Sequence, residues 1–194
     1  MSCCAPLGRR HLFPNLAKLT VIGHSGGGQF TQRYVVGQPP LPELSRVKVR
    51  YIVTNPARYM YLNEFRPAPV FDGSFAIPAT ATACPAYNAY EYGLETPNAY
   101  MAATDKAAMI NRARERDVVL LLGEADNDPR HKGLTRNCRA DYQGRHRLER
   151  GRLFKAYLDR FFAPHNTRVV TVPGVGHSSA GMFKSTPGRR AIFF

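Results

Sequence analysis

The sequence contains the glycine-rich segment Gly23-His24-Ser25-Gly26-Gly27-Gly28-Gln29-Phe30, from which the prediction of the fold starts. The segment before it, Leu19-Thr20-Val21-Ile22, is apolar or β-branched and predicts a strand, whereas residues 30–35 predict a helix. A serine between a strand and a helix is typical of a nucleophile elbow, in which a sharp turn holds the hydroxyl clear of the sheet. We therefore predict that Ser25 is a nucleophile. The alternative is a glycine-rich turn with an incidental serine.

Backbone crowding at such a turn requires glycine wherever a side chain would clash. We expect the crowded positions to be Gly23 and either Gly26 or Gly27. The backbone N–H group of Gly26, at the start of the predicted helix, is expected to donate a hydrogen bond to an oxyanion that develops during the reaction.

The composition predicts one globular domain, since 44% of the 194 residues are hydrophobic. The net charge of +13 raises nucleic acid or an anionic surface as a possible partner. The basic residues are nevertheless spread from Arg9 to Arg190, form no run longer than a pair and accompany no nucleic-acid-binding signature. We interpret them as solvated helix faces and do not expect nucleic acid as a partner.

The four cysteines, Cys3, Cys4, Cys84 and Cys138, show neither a Cys-x-x-Cys pattern nor the spacing of metal ligands. Reduced thiols are the expectation, and a pair of Cys84 with Cys138 stays open. No apolar run is long enough to span a membrane, and residues 1–14 lack the apolar region of a secretory signal. The cytoplasm is the default compartment, no cofactor or metal is expected, and the oligomeric state is not predicted.

Four strands separated by helical segments predict an α/β fold with a parallel sheet and helices on both faces. The strands are expected at about 18–23, 47–53, 118–122 and 168–172, with helices after the first strand and at about 102–115, 153–162 and 179–191. In such a sheet, functional residues lie at the carboxyl ends of the strands.

Residues 57–100 differ in character, because they are rich in proline and tyrosine and show little periodicity. This range is too long for an ordinary connection, so we expect a lid-like irregular insertion over the active-site face of one domain, residues 1–194. Its tyrosines either line a substrate pocket or cover the edges of the core. The candidates are Tyr59, Tyr61, Tyr87, Tyr90 and Tyr92.

Three residues with the chemistry for acyl transfer follow predicted strands. Ser25 follows the first strand, Asp126 follows the third and His177 follows the fourth. A serine nucleophile needs a base to take its proton and an acid to orient that base, and the order Ser, Asp, His is found in parallel α/β sheets. We predict His177 as the base and Asp126 as the acid. Asp128 remains the alternative acid, and Glu124 is a third choice.

Seven segments of the sequence match one known superfamily together: Gly23 to Tyr34, Val53-Thr54-Asn55-Pro56, Cys84-Pro85-Ala86-Tyr87-Asn88, Tyr92-Gly93-Leu94, Gly123-Glu124-Ala125-Asp126, Gln143-Gly144-Arg145-His146-Arg147 and Gly174-Val175-Gly176-His177. They resemble the α/β-hydrolase superfamily, and more narrowly a largely uncharacterised, esterase-like group within it. The resemblance runs from about Phe13 to the C-terminus and implies that Ser25, Asp126 and His177 form a catalytic triad, with Gly26 as one oxyanion donor.

Members of that superfamily carry several strands before the elbow, together with a loop that supplies a second oxyanion N–H group. The resemblance therefore implies a truncated α/β-hydrolase fold whose elbow strand lies at an edge of the sheet. Loss of one oxyanion donor lowers the rate about 10²- to 10³-fold. The expected function is hydrolysis of a carboxylic ester or related acyl bond in a small molecule, with impaired activity. The alternative is a non-catalytic remnant that acts as an interaction protein or is unstable.

Overall fold

The computed structural model describes residues 5–9, 11–79 and 81–193, so Cys3 and Cys4 lie outside the described residues. The strands are β1 (Lys18–His24), β2 (Lys48–Thr54), β3 (Arg66–Pro67), β4 (Phe75–Ala76), β5 (Asp117–Gly123) and β6 (Thr167–Val172). The α-helices are α1 (Gly26–Gly37), α2 (Ala99–Ala102), α3 (Lys106–Glu115), α4 (Cys138–Asp141), α5 (Arg147–Phe161), α6 (Ser179–Lys184) and α7 (Thr186–Ile192).

Four strands form a parallel sheet in the order β1-β2-β5-β6, and this confirms the predicted α/β class. β5 lies inside the sheet, where both of its faces are covered, and its residues Val119 to Leu122 are completely buried. β1 lies at the edge of the sheet that the described residues form, as the sequence predicts.

Helices cover both faces of the sheet, because alternate residues of a strand point to opposite sides. On one face, Leu120 and Leu122 pack with residues of α1, α3 and α5 in the larger core cluster. On the other face, Val119 and Leu121 pack with Met182 of α6 and a residue of α7. Because the four strands are parallel, they end at the same edge of the sheet, where the turns after β1, β2, β5 and β6 meet.

Capping side chains set where two of the predicted helices begin. The side chain of Asp105 accepts a hydrogen bond from Ala108 N (3.0 Å) and starts α3, so the helix expected at about 102–115 is present as Lys106–Glu115. Ser185 accepts a hydrogen bond from Gly188 N (3.0 Å) and starts α7, where Pro187 occupies the first turn. The expectation of one continuous helix over about 179–191 is therefore wrong, since a capping side chain satisfies N–H groups that only a new helix start leaves free.

The beginning of the 57–100 range belongs to the core. Tyr59 and Tyr61 are completely buried, and the ring of Tyr59 stacks on that of Phe154 in α5 at 4.5 Å between centroids. Both side chains belong to the larger core cluster, so their assignment as pocket residues is corrected to core residues. Tyr92 is also buried, at 3% exposure. The range 57–100 is thus not a cover throughout its length.

The rest of this range is attached to the helices by covalent and ionic contacts. A disulfide joins Cys84 to Cys138 at the start of α4, across 54 residues of sequence. The expectation of reduced thiols is therefore wrong for these two cysteines. Glu91 forms ion pairs with Arg58 and with Arg33 of α1, the latter at 3.2 Å. No helix within the three described ranges is long and apolar enough to cross a membrane.

Candidate active site

Ser25 lies in a sharp turn between β1 and α1. Its backbone has φ 57° and ψ −116°, a combination that residues with a side chain rarely adopt. The turn is held by a hydrogen bond from Ser25 N to the carbonyl oxygen of Thr54, the last residue of β2, at 2.9 Å. Strained backbone of this kind persists only where the surroundings enforce it, and it is concentrated at functional sites.

The glycines around Ser25 differ in how much space surrounds them. A Cβ atom on Gly23 would lie 2.6 Å from Thr31 Oγ1, and one on Gly28 would lie 2.7 Å from Thr54 O. Gly26 and Gly27 have no atoms within 4 Å of that position. The expectation for Gly23 agrees with this crowding, but the expectation for Gly26 or Gly27 is wrong. The crowded helical position is Gly28, because it is the buried glycine of this turn and lies against the end of β2.

Alanine substitutions at Gly28 and Gly27 should therefore have opposite effects on stability. Gly28→Ala places a methyl group against rigid backbone. It should lower the free energy of unfolding by about 1–3 kcal/mol, the usual range for overpacking. Gly27→Ala meets open space and should stabilise α1 by up to about 1 kcal/mol, the difference in helix propensity. Urea unfolding of both variants measures the difference. Equal changes in the free energy of unfolding would show that the turn is not packed as described.

The structure brings Ser25, His177 and Asp126 into one hydrogen-bonded series. His177 Nε2 lies 3.0 Å from Ser25 Oγ, and His177 Nδ1 lies 2.7 Å from Asp126 Oδ2. An ionised carboxylate only accepts hydrogen bonds, so Nδ1 carries the hydrogen and Nε2 is left to accept the serine proton. This is the geometry that activation of a serine hydroxyl requires.

The two alternative acids contact backbone instead of the imidazole. Asp128 is exposed, and its Oδ1 accepts a hydrogen bond from Arg130 N at 2.8 Å. Glu124 Oε2 accepts one from Gly174 N at 3.1 Å. Of the three acidic candidates, Asp126 is the one that contacts His177, and it is 4% exposed.

Asn55 connects the loops that carry the acid and the base. It follows β2 with φ 45°, and its Oδ1 accepts a hydrogen bond from Gly123 N at 2.8 Å. Its Nδ2 approaches Gly176 O at 3.5 Å, directly before His177. The sequence predicts no function for Asn55, although an asparagine between a strand end and a proline is a signal for left-handed backbone.

Two further histidines, for which the sequence predicts no function, flank His177. The ring centroid of His24 lies 4.5 Å from that of His177, and the centroid of His131 lies 5.3 Å from it. Burial, together with the nearby His177, lowers the pKa of His24 to about 4. His24 is therefore neutral at neutral pH and places no positive charge beside the base.

Arg147 is the other residue that sequence reasoning missed. Its Nη1 lies 3.2 Å from Asp126 Oδ1, and the two side chains are only 1% and 3% exposed. The backbone N–H of Leu148 donates to the carbonyl oxygen of Asp126 at 3.1 Å. The first turn of α5 thus holds Asp126 at two points: the Arg147 side chain contacts the carboxylate, and the Leu148 main chain contacts the carbonyl oxygen. The sequence signal for Arg147 was the segment Gln143-Gly144-Arg145-His146-Arg147. This segment contributes to the resemblance, but the sequence predicts no chemical role for it.

Gly26 begins α1, and the first N–H groups of a helix have no acceptor within it. The side chain of Ser25 does not cap this helix end, so the Gly26 N–H is open to an oxyanion beside Ser25. Tyr87 and Tyr90 are half-buried, and the Tyr87 hydroxyl donates to Glu64 O at 3.0 Å. Their place in a substrate pocket stays a prediction. Within the described part of the chain, no three metal-ligating side chains are grouped closely enough to hold a metal ion.

No family model and no curated protein sequence matches this chain. The solved structures that are similar to it include the following two. A poly(aspartic acid) hydrolase from Sphingomonas sp. KT-1 shares 29% identity at a TM-score of 0.60, over 86% of this chain and 52% of that protein. A poly(3-hydroxybutyrate) depolymerase from Bordetella parapertussis shares 22% identity at a TM-score of 0.54, over 85% and 46% respectively, and supports the fold alone. The chain therefore has the α/β fold of these two proteins and spans about half of their length.

Proposed function

We propose that this chain is a serine hydrolase that cleaves a carboxylic ester or a related acyl bond. The observation that carries the proposal is the His177 ring, which lies 3.0 Å from Ser25 Oγ on one side and 2.7 Å from Asp126 Oδ2 on the other. The three residues come from turns after three different strands. Their convergence at the carboxyl edge of a parallel sheet is the location expected of an active site in this fold class.

The proposed reaction begins when Ser25 Oγ attacks the carbonyl carbon and its proton passes to His177 Nε2. The Asp126 carboxylate accepts the Nδ1–H bond and stabilises the imidazolium that forms. The Gly26 N–H donates to the oxyanion, and His177 then returns the proton to the leaving group as the acyl-enzyme forms. A water molecule, deprotonated by His177, releases the acid and restores Ser25. These residues need no metal or organic cofactor for the sequence of steps.

The substrate class is inferred from the proposed reaction and from the neighbour at 29% identity. That neighbour is named as a poly(aspartic acid) hydrolase, which supports hydrolysis as the reaction type. For this chain we infer an ester or related acyl bond, with Tyr87 and Tyr90 as candidates for contact with the substrate. Comparing the turnover of a polymer with the turnover of a small ester decides between these two kinds of substrate.

Labelling with a fluorophosphonate tests the proposal, because this probe phosphonylates only a serine that is activated as a nucleophile. We expect one label per chain, located on the peptide that contains Ser25, and none on the Ser25→Ala variant. Label that survives Ser25→Ala would contradict the proposal.

A cooperatively folded sample that takes no label would favour the alternative, a non-catalytic interaction protein with a hydrolase-like fold. The position of β1 at the sheet edge, directly before Ser25, is the observation that favours this alternative. An edge strand leaves part of the wall around the nucleophile without a neighbouring strand among the described residues. Measurable turnover of an activated ester by the folded chain would exclude it.

A further inference from the structure

We infer that Arg147 is a positioning residue, which fixes the Asp126 carboxylate in the orientation that holds His177. The inference rests on the proposed function, since it assigns a task within the same site. Each oxygen of the carboxylate has its own partner: Oδ1 faces Arg147 Nη1 at 3.2 Å, and Oδ2 faces His177 Nδ1 at 2.7 Å. Arg147 touches neither Ser25 nor His177 in any recorded hydrogen bond, so it acts through Asp126.

The need for such a partner follows from the torsional freedom of an aspartate. Rotation about χ2 has broad, roughly two-fold preferences, so a carboxylate held at one oxygen alone turns readily. The main chain of Asp126 is already held, by its N–H to Gly123 O (3.1 Å) and by Leu148 N to its carbonyl oxygen (3.1 Å). The remaining freedom lies in the side chain, and the contact with Arg147 removes it.

Charge supports the same conclusion. The carboxylate of Asp126 is nearly inaccessible to water, and a buried charge needs an opposite charge or several hydrogen bonds. His177 supplies one hydrogen bond in its neutral form, so a fixed positive charge at Oδ1 is needed throughout the catalytic cycle. An arginine meets this requirement because it stays protonated at every pH of interest. A buried ion pair often contributes little net stability, so stability alone does not account for this one.

Arg150 provides a matched control on the same helix. Its side chain is completely buried, like that of Arg147, but it donates to the carbonyl oxygens of Ala57 (2.5 Å) and Thr135 (2.9 Å) and pairs with Asp141. It makes no recorded contact with Asp126 or His177. Loss of Arg150 therefore disturbs a buried arginine without disturbing the orientation of the acid.

The first experiment compares kcat and KM of Arg147→Met, Arg147→Lys and Arg150→Met with an activated ester. We expect Arg147→Met to lower kcat about 10- to 100-fold, the usual effect of removing an outer partner of a functional side chain. KM should change less than about twofold, because substrate binding is not affected. Arg147→Lys should recover most of kcat, since it keeps the charge. An equal loss of kcat in Arg150→Met would overturn the inference.

The second experiment reads the Asp126–His177 contact itself, through the strongly downfield proton NMR signal of an imidazole Nδ1–H bonded to a carboxylate. The signal should be present in the wild type, in Arg147→Lys and in Arg150→Met, and absent in Arg147→Met. Because it needs no turnover, it separates this inference from the proposed function. If the signal depends on Arg147 while Ser25 takes no label, the positioning role stands and the proposed hydrolase fails. A signal that persists in Arg147→Met overturns the positioning role.

A double variant covers the case in which Arg147→Met alone does not fold. Asp126→Asn together with Arg147→Met removes both buried charges and leaves neither unpaired. Its residual kcat should equal that of Asp126→Asn alone, because Arg147 acts only through the carboxylate. A further loss of kcat in the double variant would show that Arg147 acts by another route.

Discussion

Replacing Ser25 by alanine should lower kcat for an activated ester by about 10⁶-fold, the scale measured when the nucleophile of a serine hydrolase is removed. The Ser25 hydroxyl has one recorded partner, His177 Nε2, so its loss removes the attacking atom and little else. His177→Ala should lower kcat by about the same factor. The double variant Ser25→Ala/His177→Ala should lower kcat no further than either single substitution, because the two groups act as a unit. Steady-state kinetics of the three variants measures this.

The stability of Ser25→Ala provides the control for that experiment. Alanine meets the same backbone strain as serine, so the free energy of unfolding should stay within about 0.5 kcal/mol. Ser185→Ala is the matched substitution away from the site. It removes the cap of α7 and should cost about 1 kcal/mol of stability while leaving kcat unchanged. Additive losses of kcat in Ser25→Ala and His177→Ala would contradict a coupled pair.

Asp126→Asn should lower kcat about 10⁴-fold, because an amide in place of the carboxylate no longer holds the imidazole in the required tautomer. Its stability should also fall, by about 3 kcal/mol, at the low end of the cost of breaking a buried ion pair. The low end applies because the asparagine oxygen can still accept a hydrogen bond from Arg147. Kinetics and urea unfolding of the same sample measure the two effects.

Asp128→Asn is the matched control and decides between the two acids that the sequence leaves open. Asp128 is exposed and uses Oδ1 to accept from Arg130 N, a contact that asparagine also makes. Both kcat and stability should therefore stay close to those of the wild type. A larger loss of kcat in Asp128→Asn than in Asp126→Asn would transfer the role of the acid to Asp128 and would also remove the basis for the inference about Arg147.

The end of β2 and the residue that follows it make several contacts that support this site. Thr54 O accepts from Ser25 N at 2.9 Å and excludes any side chain at Gly28. Asn55 bridges the strand end at Gly123 and the loop before His177. Thr54 and Asn55 thus contact the turn of Ser25, the end of the strand before Asp126 and the residue before His177, and so connect the three segments that carry the triad candidates.

The sequence by itself determined the α/β class, the four strands and the order of Ser25, Asp126 and His177 along them. These features depend on local properties: a run of apolar residues forms a buried strand, and a strand followed by glycines and a helix forms a turn. In a parallel sheet all such turns lie at one edge, so the order of strands already predicts which side chains approach one another.

Only the tertiary structure decided which acid faces His177, which glycine of the elbow is crowded, and that Arg147 contacts Asp126. It also decided that Tyr59 and Tyr61 belong to the core and that Cys84 pairs with Cys138. Each of these depends on atoms that are distant along the chain and adjacent in space, such as Asp126 and His177, 51 residues apart. Local patterns indicate which turns share an edge of the sheet, but the packing of the helices against the sheet sets the distances between individual atoms.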